Sequence, residues 1–167
     1  MSSTFLNHGL FDAAIIDLDG TLVDTLGDFV VALNRMLGEL SLAPVDRAVV
    51  QSLVGKGSEH LIRSVLGHVL TRTVTSEKQA LSASGLEAEV TRLFPAAWRS
   101  YQRHYLAING QHSGVYPGVF EGLQLLQARG LKLACLTNKP TAFALPLLKA
   151  KGLDGFFAEV FGGDSFE

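Results

Sequence analysis

The chain has 167 residues, 47% of them hydrophobic and 18% charged, with a formal net charge of −2. That is enough apolar chain for one globular unit with a real core and a small appended subdomain. The balance lacks the basic surplus of a nucleic-acid binder, and the single cysteine, Cys135, excludes an intramolecular disulfide and a cysteine-rich zinc site.

In chain order, Met1 to His8 has no basic stretch followed by a long apolar run, so no signal peptide is expected. No run approaches the roughly 18 apolar residues of a membrane span, so no membrane partner is expected either. A soluble, reducing, cytoplasmic setting is the simplest expectation. Residues 1–11 read as a short lead-in. Ala13 to Asp17 reads as a buried strand. Side chains alternate along a strand, so Asp17 and Asp19 point the same way, and two such carboxylates repel unless a cation or a proton lies between them. Gly20 permits a sharp turn just past them.

Asp24-Thr25 reads as a helix start, with Leu26, Phe29, Val30, Leu33 and Leu37 at helical spacing and a stop near Leu42, before Pro44. Asp46 is expected to cap a short helix through Leu53. Val54-Gly55-Lys56-Gly57 reads as a loop, and Ser58 as the cap of a helix whose apolar face carries Leu61, Ile62, Val65 and Leu66. Thr71 to Gly85 reads as a loop or a frayed helix. Ser84-Gly85-Leu86-Glu87 has capping-box spacing. It opens a long helical pattern (Val90, Leu93, Phe94, Ala97, Trp98, Tyr101, Tyr105) that Pro95 kinks or divides, and whose aromatic stripe belongs in a core. His60, His68, His104 and His112 show no metal-ligand spacing.

After the polar stretch Asn109 to Gly114 the pattern changes. Val119 to Arg129 reads as a helix closed by Gly130, Leu131 to Leu136 as a second buried strand, and Thr141 to Lys151 as a helix closed by Gly152 with Pro146 inside it. Ala158 to Phe161 reads as a third strand leading to Gly162-Gly163-Asp164-Ser165. Alternating strand and helix implies an α/β fold with a parallel sheet, and the helical block from 25 onward is inserted after its first strand.

Ligands of open parallel sheets bind at the carboxyl ends of the strands. Asp17, Asp19 and Thr137-Asn138, with Lys139 beside them, sit at such ends. Two acids attract a hard divalent cation, most plausibly Mg²⁺, with Asp17 and Asp19 as metal ligands. A hydroxyl and turn N–H groups suit phosphate oxygens. A carboxylate beside a cation and a phosphate is a nucleophile of the aspartyl-phosphate kind, and a second acid protonates the leaving alcohol and activates water.

Asp17-Leu18-Asp19-Gly20-Thr21-Leu22-Val23-Asp24 resembles the first motif of the haloacid dehalogenase-like hydrolases, and Leu136-Thr137-Asn138-Lys139-Pro140 resembles their second motif as it stands in phosphoglycolate phosphatases. Tyr116-Pro117-Gly118-Val119, the Gly55-Lys56-Gly57 loop and Gly162-Gly163-Asp164-Ser165 also look like that subfamily. The resemblance implies a Rossmann-like parallel-sheet core, residues 1–24 and 113–167, with an all-helical cap at 25–112. It implies catalytic roles for Asp17 (nucleophile) and Asp19 (acid/base), phosphate binding by Thr137 and Asn138, and substrate contacts from Lys56 and Lys139. The activity it implies is Mg²⁺-dependent hydrolysis of a small phosphorylated substrate, most plausibly 2-phosphoglycolate.

The family's third motif, a lysine, and its fourth, an acidic pair, normally follow Gly162-Gly163-Asp164-Ser165, whereas the sequence stops at Glu167. Asp164 comes too soon after Thr137 to be that acidic motif. The resemblance therefore implies a core incomplete on its C-terminal side, a crippled activity, and a first strand left as an exposed edge open to self-association. Two other functions stay open: a β-phosphoglucomutase-type phosphomutase, and a non-catalytic binding module.

Overall fold

A computed structural model describes residues 11–76 and 82–166. The chain divides into two compact units, one made of Met1–Asp24 with Gly114–Glu167, the other of Thr25–Ser113.

The first unit is built on a parallel three-stranded sheet: β1 (Ala13–Ile16), β4 (Lys132–Leu136) and β5 (Glu159–Phe161), in the order β1-β4-β5. Ile16 lies opposite Cys135, and Leu136 opposite Phe161, so the three strands end side by side. Helices α5 (Val119–Ala128) and α6 (Thr141–Ala150) supply Leu123, Ala144, Leu147 and Leu148 to a core with Leu133 and Cys135, against which Ala14, Ile16 and Val160 pack. Gly130 and Gly152, both at positive φ, close these helices. Pro146 lies inside α6 without ending it.

The alternating residues face the other way, and there the structure departs from the two buried strands expected. Ile15 is 69% exposed and Leu136 43%, because both helices pack on one face of the sheet. The outer edge of β1 pairs with no described strand. A two-stranded antiparallel ribbon, β2 (Val23–Asp24) with β3 (Gly114–Val115), was not legible in the sequence: two residues are too few to show a period.

The second unit is helical: α1 (Leu26–Glu39), α2 (Arg47–Leu53), α3 (Gly57–Ser76) and α4 (Ala83–Ile108). Helix α1 stops short of the expected Leu42. Ser41 takes φ 56 and the Leu42 N–H reaches back to Leu37, a Schellman closure that ends the helix before Pro44 is reached. The Asn34 side chain then pins the connection by bonding both the N–H and the carbonyl of Val45. Asp46 precedes α2 as expected, but its side chain makes no cap hydrogen bond. Ser58 lies within α3, which begins one residue earlier. The Thr71–Gly85 stretch is helical to Ser76, and part of it lies outside the described residues.

The cap of α4 is Ser82, whose hydroxyl accepts the Gly85 N–H, so the helix is capped two residues before Ser84 by a single side-chain bond and the capping box expected there is not formed. Pro95 lies inside α4, which continues through it to Ile108. The aromatic stripe is core: Tyr101 and Tyr105 are fully buried, and Tyr105 stacks on Phe29 of α1. At the far end of α1, the Glu39 carboxylate accepts hydrogen bonds from Ser100 and Arg103 and pairs with His104, all on α4. These bonds pull the Glu39 pKa down to about 2. At the near end, buried Asp28 accepts the backbone N–H groups of Gly110 and His112, tying the start of α1 to the residues that follow α4.

Candidate active site

The site stands where β1, β4 and β5 end. Past Ile16 the chain leaves the sheet and winds tightly: the Leu18 carbonyl accepts the N–H groups of Leu22 and Val23, and Gly20, at φ 80, bonds back to the Val23 carbonyl. Leu18, fully buried, anchors this turn in the core. Alternation then sends Asp17 and Asp19 to the other side. Both carboxylates raise the proton affinity of the Cys135 thiol, which burial and these two charges push up to about 12. The two acids therefore crowd one spot, and Cys135 is inert there as a thiol.

A cavity of about 390 Å³ opens at the strand ends. Asp17, Thr137 and Asn138 line it, with Gly162, Gly163 and Phe166. Asp17 and Asn138 are exposed, while Thr137 is buried with its hydroxyl accepting the Lys139 N–H at 3.2 Å. Lys139 does not lie on the surface. It is 4% exposed, and its Nζ stands 3.1 Å from Asp19 Oδ1. Thus three of the residues singled out in the sequence, Asp17, Thr137 and Asn138, line one cavity, and Lys139 pairs with a fourth, Asp19. Lys56 belongs to the other unit, exposed in the loop between α2 and α3.

Gly162, Gly163 and Phe166 were missed as lining. The first two had a legible signal, paired glycines directly after a strand. A Cβ on Gly163 would lie 2.6 Å from the Asn138 carbonyl oxygen, so only glycine lets the two loops meet. One carboxylate oxygen of Asp164 is engaged: Oδ1 accepts both the N–H and the hydroxyl of Thr141. These bonds hold its carboxyl below the usual range.

The donors at the cavity are oxygens, as a hard divalent cation requires. No described residue bonds to the Asp17 carboxylate, and Asp19 follows two residues later in the chain. Among the described residues no group of three or more His, Cys, Asp or Glu side chains is placed to hold a metal ion. The set fits such an ion as a partial shell, with Asp17 as its one open carboxylate. No helix among the described residues is long and apolar enough to cross a membrane.

A family model for haloacid dehalogenase-like hydrolases matches residues 11–167. The chain belongs to this family. Phosphatases of this family generally use a divalent metal. The chain is 41% identical over 153 residues to the phosphoglycolate phosphatase of Nitrosospira multiformis, covering 92% of this chain and 61% of that one. It is 38% identical to a plasmid-borne phosphoglycolate phosphatase of Cupriavidus necator, covering 92% and 59%. The crystal structure of a predicted phosphoglycolate phosphatase from Haemophilus somnus superimposes with a TM-score of 0.78 at 30% identity, covering 93% of this chain and 64% of that one. The chain thus spans about three fifths of the length of the curated relatives it matches.

Proposed function

We propose that this haloacid dehalogenase-like chain carries the nucleophile half of a phosphatase that hydrolyses a small phosphate monoester, with 2-phosphoglycolate as the favoured substrate. The observation that carries the reading is Asp17, open at the end of β1 in the cavity that Thr137 and Asn138 also line. Relatives named phosphoglycolate phosphatase at 41% and 38% identity support the substrate class.

In the proposed reaction an Asp17 carboxylate oxygen attacks phosphorus. The bond to the ester oxygen breaks, and Asp19, as a carboxylic acid, gives that oxygen its proton. Asp19, now a carboxylate, takes a proton from water, whose oxygen displaces Asp17 and leaves inorganic phosphate. The Thr137 hydroxyl, the Asn138 amide and the turn N–H groups donate to the non-bridging oxygens. Mg²⁺, held by Asp17 and the Asp19 backbone, would supply the positive charge that brings two anions together. Lys139 offers its ammonium from beside Asp19, and Lys56 is the proposed contact for a substrate carboxylate. Residues 25–112 are proposed to act as a helical cap that sequesters the reaction from water. A reducing, cytoplasmic setting suits the single buried Cys135. Self-association through the β1 edge belongs to the same proposal.

The test is phosphate release from 2-phosphoglycolate with Mg²⁺. It compares this chain with a form lengthened at its C-terminus by the corresponding part of the Nitrosospira relative. Release of inorganic phosphate by the lengthened form is expected. An isomeric sugar phosphate formed from a hexose phosphate, in place of free phosphate, would make it a phosphomutase. Turnover of no phosphate ester would leave a binding module.

A further inference from the structure

Beyond the parallel register of β4 and β5, the loops that follow the two strands remain stitched together. The Thr137 N–H donates to the Phe161 carbonyl at 2.9 Å, and the Gly163 N–H donates to the Lys139 carbonyl at 3.0 Å. The third rung uses a side chain: Asp164 Oδ1 accepts the Thr141 N–H at 2.8 Å and the Thr141 hydroxyl at 2.6 Å. These rungs bracket Thr137, Asn138 and Lys139. Two glycines make the approach possible, since a Cβ on Gly162 would stand 2.5 Å from the Thr141 nitrogen and one on Gly163 2.6 Å from the Asn138 carbonyl oxygen. The loop holds its own shape through the Ser165 hydroxyl, which accepts the Gly162 N–H.

Helix α6 begins at Thr141, and the residue before it, Pro140, has no side chain to cap it. Its first N–H would be an orphan donor. Asp164 supplies the missing acceptor from a different loop, and its negative charge suits the positive end of the helix. The start of α6 and the turn before it are thereby fixed to the end of β5.

We propose that Asp164 is a positioning residue for phosphate binding: by capping α6 at Thr141 it holds the Thr137–Lys139 turn in the shape that receives phosphate oxygens. This rests on the reading of the cavity as a phosphoryl-transfer site. It gives the 162–165 loop a task distinct from metal ligation, carried by the two bonds from Asp164 Oδ1 to Thr141.

The experiment titrates this chain with inorganic phosphate at a fixed Mg²⁺ concentration, following the amide resonances of Thr137, Asn138 and Lys139. Asp164→Ala is expected to weaken phosphate about tenfold while the circular dichroism of the chain is kept. Asp164→Asn, whose amide oxygen still accepts from Thr141, is expected to recover most of that loss. A purely charge-based or generally structural role would not give this rescue. Thr141→Val, which keeps the N–H and loses the hydroxyl, is expected to weaken phosphate two- to threefold on the order of one lost hydrogen bond. Should Asp164→Ala fail to fold, the Asn and Val variants carry the comparison. Phosphate affinity unchanged in Asp164→Ala or Thr141→Val would overturn the proposal. So would Asp164→Asn as impaired as the alanine variant. Failure of the unsubstituted chain to bind phosphate would instead overturn the reading of the site, and this inference with it.

Discussion

Lys139 is the residue whose surroundings most change the chemistry read from the sequence. A lysine after a Thr-Asn turn reads equally as solvated or as reaching a ligand, because neither spacing nor periodicity reports burial. In the structure its side chain is buried and its ammonium stands 3.1 Å from Asp19. A buried cation is retained only with a compensating anion. Lys139 therefore offsets part of the negative charge that Asp17 and Asp19 place beside Cys135. In the lengthened protein, Lys139→Met is expected to lower kcat for 2-phosphoglycolate by about 100-fold, the scale of one misplaced group in an active site. It should also lower stability by about 1–3 kcal/mol, less than for a fully buried pair because Asp19 keeps some contact with water. Turnover within twofold of the unsubstituted protein would remove Lys139 from the mechanism. Asp17 and Asp19 were legible because an apolar run ending in Asp-Leu-Asp-Gly forces two carboxylates to one side of a strand end. Asp164 was not, since its partner Thr141 is 23 residues away in sequence and only the fold brings them together.

At the scale of elements, the helices of the second unit were legible in number and in their buried faces, and less so at their ends. Ends are decided by local closures such as the left-handed Ser41 and the Ser82 cap, which compete with equally plausible neighbours. What joins α1 to α4 was not legible at all: Glu39 meets Ser100, Arg103 and His104 across more than sixty residues of chain. This contact has a pH signature. The Glu39 pKa falls to about 2 in the folded protein from an ordinary value of 4.5. The folded state thus favours the carboxylate, so the stabilisation is whole above pH 4.5 and is lost as pH falls through about 2. Because the carboxylate is solvent-exposed, added salt screens it. Glu39→Gln is expected to flatten the fall of thermal stability between those pH values. A Gln variant with the same acid slope as the unsubstituted chain would show that other carboxylates carry it.

For the whole molecule, the telling feature is a parallel sheet covered by helices on one face. Parallel strands are ordinarily buried on both faces, and β1 and β4 are apolar but for Lys132 at the start of β4, which is why the sequence reads them as buried. Yet Ile15 and Leu136 are exposed on the open face, and β1 offers an unpaired edge among the described residues. Exposed apolar strands of this kind invite edge pairing. Ile15→Lys is accordingly expected to reduce concentration-dependent association of the chain in sedimentation experiments, leaving its circular dichroism unchanged. Association of the same extent in both forms would take the β1 edge out of the proposal.

All of these features converge on one carboxylate. The lengthened protein, mixed with 2-phosphoglycolate and Mg²⁺ and quenched in acid during turnover, should carry a phosphoryl group on the peptide that contains Asp17. The same peptide from Asp17→Asn should carry none, and its phosphate release should fall at least about a thousand-fold, as for loss of a covalent nucleophile. Normal turnover by Asp17→Asn, or a phosphoryl group trapped on any other residue, would contradict the assignment of Asp17 as the attacking group.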